Sequence, residues 1–237
     1  VSTSSRIEWT EATWNPVTGC TKISPGCAHC YAERMAKRLQ AMGQLRYRNG
    51  FKVTFHEDAL YEPLRWRKPR MVFVCSMGDL FHEDVQDPFL CCVFRVMSDA
   101  KQHTFQVLTR RADRAEEWMY GASGPDNLWL GVSVESRAFI HRIRELQQID
   151  VPVRFVSFEP LLGPVGRIPL KGIHWMIVGG EFGPGARPMD PDWARKIRDQ
   201  CRRVGIPFFM KQMGGVVDKR SKLADIPPDL RIREMPT

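Results

Sequence analysis

The sequence predicts an α/β fold: a complete or partial (β/α) TIM-like barrel of six to eight parallel strands in a single domain. Three observations carry this. Short, near-continuous apolar runs alternate with amphipathic helical stretches, the pattern of strands buried on both faces beneath helices. Polar residues recur directly after those runs, where parallel α/β folds assemble their sites. No Gly-, Pro- or Ser-rich break divides the 237 residues.

In chain order, the stretch leading into Cys20 is a candidate strand, and Tyr31 to about Gln40 reads as a helix. Further strands are expected at Val53–Phe55, Met71–Cys75, Thr104–Leu108, Leu128–Val134, Val153–Phe158, His174–Val178 and Pro207–Met210. Helices are expected at Pro88–Ala100, Ala112–Tyr120, Arg137–Gln148 and Pro191–Val204. In the third of these, Phe139, Ile140, Ile143 and Leu146 recur on one helical face. The barrel domain is assigned to residues 1–215. Residues 216–237, charged and bearing Pro227-Pro228, form a C-terminal tail.

A hydrophobic content of 43% suits a chain that buries a real core. No apolar run approaches the ~20 residues of a membrane span, and the start lacks an apolar signal core. A cytoplasmic protein with no membrane association is expected. Lys and Arg number 35 against 27 acids, a net charge of +8, which favours a nucleic acid or nucleotide partner. Part of the excess lies at Arg195, Lys196, Arg198, Arg202 and Arg203, a pattern that equally suits a solvated helix face. The seven cysteines follow no disulfide framework, so reduced thiols or metal ligation are expected. Cys75, Cys91, Cys92 and Cys201 read as small buried hydrophobes.

Cys20, Cys27 and Cys30 stand apart. They fall within eleven residues at C-x6-C-x2-C spacing, on a loop bent by Gly19, Pro25 and Gly26. Three thiolates are one ligand short of a closed tetrahedral site, and an incomplete set keeps a position open for substrate. The loop reads as the cradle of a reactive iron–sulfur cluster.

The strand ends gather the remaining chemistry. His56-Glu57, Ser76-Met77-Gly78-Asp79 and Thr109-Arg110-Arg111 follow three runs, and Ser133 and Glu135 end the next. Ser157 and Glu159, then Gly179-Gly180-Glu181, then Lys211-Gln212 complete the series. One such residue is commonly a turn or cap; acids after four separate strands, at Asp79, Glu135, Glu159 and Glu181, suggest a common rim. Residues 179–187 hold four glycines but no Gly-x-Gly-x-x-Gly and no phosphate-loop Lys-Ser/Thr, so no nucleotide fingerprint is assigned. Gly183 and Gly185 suit a flexible turn, and Arg187 suits a phosphate, a carboxylate or an acid on a neighbouring loop.

With these residues the chain resembles the radical S-adenosylmethionine (radical SAM) superfamily, whose signature is C-x3-C-x2-C after the first barrel strand. Cys27 and Cys30 match the C-x2-C half, and Cys20 stands in place of the first ligand across an enlarged gap. The wider pattern, Trp-Asn-Pro-Val-Thr-Gly-Cys with Cys-x-x-Cys-Tyr-Ala-Glu and Val-Gly-Gly-Glu…Gly-Ala-Arg-Pro-Met, is similar to a three-cysteine-motif family of phages, prophages and bacterial genomes. That second resemblance runs from Trp9 to about Gly215.

The resemblance implies a [4Fe–4S] cluster on Cys20, Cys27 and Cys30, with S-adenosylmethionine at the fourth iron. One electron, from a flavodoxin- or ferredoxin-like donor, would cleave the sulfonium to methionine and a 5′-deoxyadenosyl radical that takes a hydrogen atom from substrate. It places His29 near the adenine. Ser76, Met77, Gly78 and Asp79 would hold the methionine ammonium, Arg110 its carboxylate, and Ser133 with Glu135 the ribose and methionine groups. Glu159, Glu181, Lys211 and Gln212 would face the substrate, with Cys75 a candidate hydrogen donor. The substrate expected is anionic, a nucleotide or nucleic acid, in base modification or DNA-photoproduct-type repair. The alternative is a zinc-containing, non-enzymatic nucleic-acid-binding protein, since Cys-x2-Cys is also a zinc knuckle. That reading needs a fourth ligand, and no second Cys/His pair has suitable spacing.

Overall fold

The computed structural model of the chain describes residue 5 and residues 7–236; the ends of the expected 1–215 domain and 216–237 tail at residues 1–4, 6 and 237 lie outside them. In chain order the elements are Ala12–Trp14 (β1), Val17–Thr18 (β2), Tyr31–Ala41 (α1), Thr54–Phe55 (β3), Glu57–Leu60 (α2) and Met71–Val74 (β4). Asp87–Asp99 (α3), Thr104–Thr109 (β5), Ala112–Trp118 (α4), Leu128–Ser133 (β6) and His141–Leu146 (α5) follow. Val153–Phe158 (β7), Trp175–Gly179 (β8), Pro191–Val204 (α6) and Phe208–Gln212 (β9) complete the series. Seven strands form one parallel sheet in the order β1-β4-β5-β6-β7-β8-β9, curled into a half-barrel. The fold is the expected α/β partial barrel, in a single domain.

Local chemistry explains the boundaries. The side chain of Asp190 accepts from the Asp192 backbone N–H at the start of α6, and Pro191 occupies the first turn. Gly205, left-handed at φ 72°, ends that helix. Helix α3 buries Leu90, Val93, Phe94, Val96 and Met97. That spacing turns Cys91 and Cys92 outward, and both are exposed; their expected burial is overturned, while Cys75 and Cys201 are buried.

A second correction concerns Val53–Phe55. This run does not join the barrel: Thr54–Phe55 pairs antiparallel with β2 in a separate two-stranded sheet. A central parallel strand is apolar on both faces, whereas Thr54 is half-buried and Phe55 exposed. The first barrel strand is β1, the stretch that leads into the cysteine loop.

The two faces of the sheet differ. On the convex side Val72, Val74, Phe105, Val107, Leu130, Val132, Phe158, Met176 and Val178 pack into the main core. On the concave side an aromatic plug of Trp9, Phe73, Trp129, Phe155, Trp175 and Phe209 fills the amino end of the half-barrel. Trp9 lies 4.8 Å from Phe73 and 6.1 Å from Trp175, both edge-on, contacts worth about 0.5–1.5 kcal/mol each beyond burial. The lower half of the cup is therefore solid, and chemistry is confined to the carboxyl end.

The chain beyond residue 215 returns to the sheet. Arg233 bridges antiparallel to Phe209, Met210 N–H donates to the Ile232 carbonyl, and Glu234 N–H donates to that of Phe208. Ile226 and Leu230 are buried in the main core. The segment covers the outer edge of β9, which would otherwise present unpaired backbone.

Candidate active site at the cysteine loop

The cysteine loop joins β2 to α1 and lies over the carboxyl end of the sheet. Gly19 N–H donates to the Met77 carbonyl, and Cys20 N–H to that of Phe51. The turn after β4 supports the loop from below. Asn15 Oδ1 accepts from Ser76 Oγ at 3.2 Å and from Met77 N–H at 3.0 Å, and Gly78 bridges to Gly19. Pro25–Cys27 forms a 3-10 turn, and α1 starts at Tyr31, directly after Cys30.

Glu135, buried two residues past the end of β6, ties the loop to the sheet. Its Oε1 accepts from Ser24 Oγ at 2.6 Å and from Arg110 Nε at 2.8 Å; its Oε2 accepts from Arg142 Nη1 at 3.0 Å. Only glycine permits this approach: a Cβ at Gly26 would lie 2.5 Å from Glu135 Oε1. Arg110 Nη2 also donates to the Glu159 carbonyl. Burial opposes the Arg110 charge, but Glu135 and Cys27 beside it raise its pKa. Burial pulls Arg142 below its ordinary value against the pull of Glu135.

The thiols differ. Burial raises the Cys27 pKa, yet Arg110 and hydrogen bonds from the backbone at Ile23 and from Ser24 bring it below the ordinary thiol value. Burial, with Asp79 adding to it, pushes Cys20 up to about 11. Arg111 opposes that shift, its Nη1 donating to Cys20 Sγ at 3.3 Å. Arg111 is itself buried and held by Glu83 Oε2, Asp79 Oδ2 and Thr21 Oγ1. Each of these two cysteines thus has a guanidinium beside it that offsets thiolate charge.

Residues 179–187 close over the loop from the other side. Arg187 forms a bidentate pair with Glu181, at 2.8 and 2.6 Å, and reaches the Pro25 carbonyl at 2.9 Å. Burial acts against the Glu181 charge, but these bonds hold its pKa below the usual value. Arg34, from α1, donates to the Phe182 carbonyl. His29 lies against Gly185, where a Cβ would come within 2.6 Å of its ring. The glycines read as a flexible turn accommodate the cysteine loop, and Arg187 meets an acid of its own loop.

Below the loop, side-chain alternation along the strands aims Arg110, Ser133, Ser157 and Glu159 into the concave cup above the aromatic plug. Glu159 pairs with Lys211 at 2.7 and 2.9 Å. Ser133 and Ser157 face each other across β6 and β7, and both hydroxyls are buried without a hydrogen-bond partner. A buried hydroxyl without a partner is costly, so this pair calls for water or a polar ligand. Cys75, buried and near Asp79, has its thiol pushed up to about 12 by burial and stays protonated. Asp79 accepts from Phe81 N–H, Thr109 Oγ1, Arg110 N–H and Arg111 Nη1, so its carboxylate already serves the chain.

The sequence-expected residues therefore gather at one end of the sheet, through different partners than expected: Arg110 meets Glu135, and Glu181 meets Arg187. Ser24 and Arg142 were not among the expected site residues, and Asn15 and Arg111 stood in the motif and the strand-end series without an assigned role. Arg111 adjoined a chosen residue; Arg142 lay inside an amphipathic helical stretch with nothing to distinguish it.

The loop offers three thiols, those of Cys20, Cys27 and Cys30. Among the described residues, no group of three or more His, Cys, Asp or Glu side chains is arranged to hold one metal ion. Among the described residues, no helix is long and apolar enough to cross a membrane, and all seven cysteines are free.

A family model described as a protein of unknown function (DUF5131) matches residues 4–228. No curated protein and no solved structure matches the chain.

Proposed function

The chain belongs to the DUF5131 family, and from its site we propose that it is a radical SAM enzyme with a [4Fe–4S] cluster on Cys20, Cys27 and Cys30. The observation that carries this reading is the three-cysteine loop, one ligand short, over the carboxyl end of a parallel half-barrel, with Arg110 near Cys27 and Arg111 donating to Cys20. Cys20, Cys27 and Cys30 would hold the cluster, and the chemistry it would supply there is one-electron cleavage of the sulfonium of S-adenosylmethionine, for hydrogen-atom abstraction from substrate.

The chain's own residues orient, neutralise and exclude water. Arg110 and Arg111 offset thiolate charge. Glu135 and the Glu181–Arg187 pair fix the loop from two sides. The aromatic plug keeps bulk water from the lower cup. Ser133 and Ser157 offer two hydroxyls to a polar group of cofactor or substrate, and the Lys211–Glu159 pair stands at the same rim. The substrate proposed is a nucleotide or nucleic acid, the electron donor a small flavodoxin- or ferredoxin-like protein, and the compartment the reducing cytoplasm.

Anaerobic reconstitution, reduction with dithionite and chromatography of the products test the reading. Formation of 5′-deoxyadenosine and methionine, changed in rate by oligonucleotides, is expected. A fully reconstituted protein that leaves S-adenosylmethionine intact in every condition overturns it.

A further inference from the structure

The net charge of +8 is unevenly used. On α6, Arg195 and Arg198 are paired with Asp192, Asp199 and Asp229; Lys196, Arg202 and Arg203 stand exposed on the same helix. A second exposed group, Arg65, Arg67 and Lys68, precedes β4 and so lies at the amino end of the sheet, away from the cysteine loop. The third group borders that loop. Between Glu33 and Glu57 the chain carries Arg34, Lys37, Arg38, Arg46, Arg48 and Lys52 and no acid. Arg34 is bound to the Phe182 carbonyl, Lys37 to Glu33 and Arg46 to Asp58. Arg38, Arg48 and Lys52 are exposed.

This segment leaves the cysteine loop as α1 and returns to it as β3, with the Phe51 carbonyl accepting from Cys20 N–H. While Ala36, Met35, Tyr47 and Phe51 pack together, three of its other apolar side chains are exposed. Leu45 is 83% exposed, Met42 60%, and Tyr31, next to Cys30, 55%. Exposed cations with no acid between them, the lone Glu33 being held by Lys22 and Lys37, together with an exposed ring and apolar side chains, match a single strand of nucleic acid: phosphates meet the cations, and bases meet Tyr31 and the apolar side chains. A base inside a duplex is out of reach of a site set in a cup, whereas a single strand presents its bases freely.

We propose that the Tyr31–Lys52 ridge, through Arg38, Arg48, Lys52 and Tyr31, is the docking surface for a single-stranded polynucleotide whose bases enter the half-barrel beside the cysteine loop. This rests on the nucleic-acid reading of the substrate. The test is the salt dependence of binding, by fluorescence anisotropy, of labelled single-stranded DNA and RNA 20-mers and a duplex of the same sequence to the full chain. Each lost phosphate contact lowers the slope of log K against log salt by about 0.7 for single strands. The Arg38→Gln/Arg48→Gln/Lys52→Gln variant is expected to lose a slope of about 2. The Lys196→Gln/Arg202→Gln/Arg203→Gln variant, with the same loss of net charge, is expected to keep the full slope. Tyr31→Ala is expected to weaken single-strand binding roughly tenfold. Equal slope losses in both triple variants, or tighter binding of the duplex, overturn the ridge assignment and leave the nucleic-acid reading standing. No binding of any probe by the unaltered chain overturns both. A preference between DNA and RNA identifies which strand the ridge takes, and either supports it.

Discussion

Replacing Cys20, Cys27 or Cys30 singly by alanine is expected to remove most of the iron and sulfide that the unaltered chain takes up on anaerobic reconstitution, about four of each per chain for a [4Fe–4S] cluster. Two thiolates leave a second iron exposed to solvent, and the cluster then degrades. Cys91→Ala and Cys92→Ala are the controls: both residues are exposed on α3, away from the loop, and both variants are expected to keep full cluster content. Iron and sulfide assays with the visible absorption spectrum read the outcome. Retention of full cluster content by Cys27→Ala or Cys30→Ala would place the ligands elsewhere. Of the three, Cys20→Ala is the most informative, because the enlarged gap before Cys27 makes Cys20 the least conventional ligand.

The second large effect is on stability. Glu135 is buried and accepts from Ser24, Arg110 and Arg142 at once. Glu135→Ala leaves the buried Arg142 and the half-buried Arg110 without their counter-charge, and breaking a buried pair costs about 3–5 kcal/mol. For a chain of this size that corresponds to a fall in Tm of roughly 6–20 °C. Burial already draws Arg142 below its ordinary pKa while the carboxylate is present; without it the charged form is disfavoured further. Glu135→Gln keeps the shape and part of the hydrogen bonding, and is expected to lose less. Differential scanning calorimetry of the cluster-free chain separates this effect from cluster loss. A Tm within 2 °C of the unaltered chain, a shift of about 1 kcal/mol or less, would mean that Glu135 does not tie the loop to the sheet.

Legibility followed the range of the interactions involved. Met71–Val74, Thr104–Thr109, Leu128–Ser133 and Val153–Phe158 are largely apolar and largely buried on both faces, so their composition announces a buried parallel strand. The carboxyl-end rule then brought Asp79, Arg110, Glu135, Glu159 and Lys211 to one rim. Local pattern failed where a long-range partner decides. Val53–Phe55 has the composition of a barrel strand, but Val17–Thr18 captures its end in a hairpin-like pair. Cys91 and Cys92 stand beside buried Leu90 and Val93 in the sequence, and only the phase of α3 turns them outward. Arg142 resembles any solvated helix residue until β6 brings Glu135 against it.

The same holds for Gly183 and Gly185. Their composition signals a turn, and the contact with Arg34 and His29 comes from α1 and the cysteine loop, about 150 residues earlier in the chain. Charge was the least legible property. A net excess says nothing of pairing, and α6, the most conspicuous basic helix, ties Arg195 and Arg198 to acids. The charge of the stretch from Arg34 to Lys52 drew no notice in the sequence, where only its helix stood out, and its distinction is a place beside the cysteine loop.

The central claim is that three cysteines leave one iron open and that S-adenosylmethionine fills it. Electron paramagnetic resonance of the anaerobically reconstituted, reduced chain, with and without S-adenosylmethionine labelled with nitrogen-15 at its amino group, tests it most directly. The account predicts a reduced [4Fe–4S] signal whose g-values move on adding the cofactor, with hyperfine coupling to the labelled nitrogen. A colourless, zinc-loaded chain, or a cluster signal unaltered by the cofactor, would contradict it.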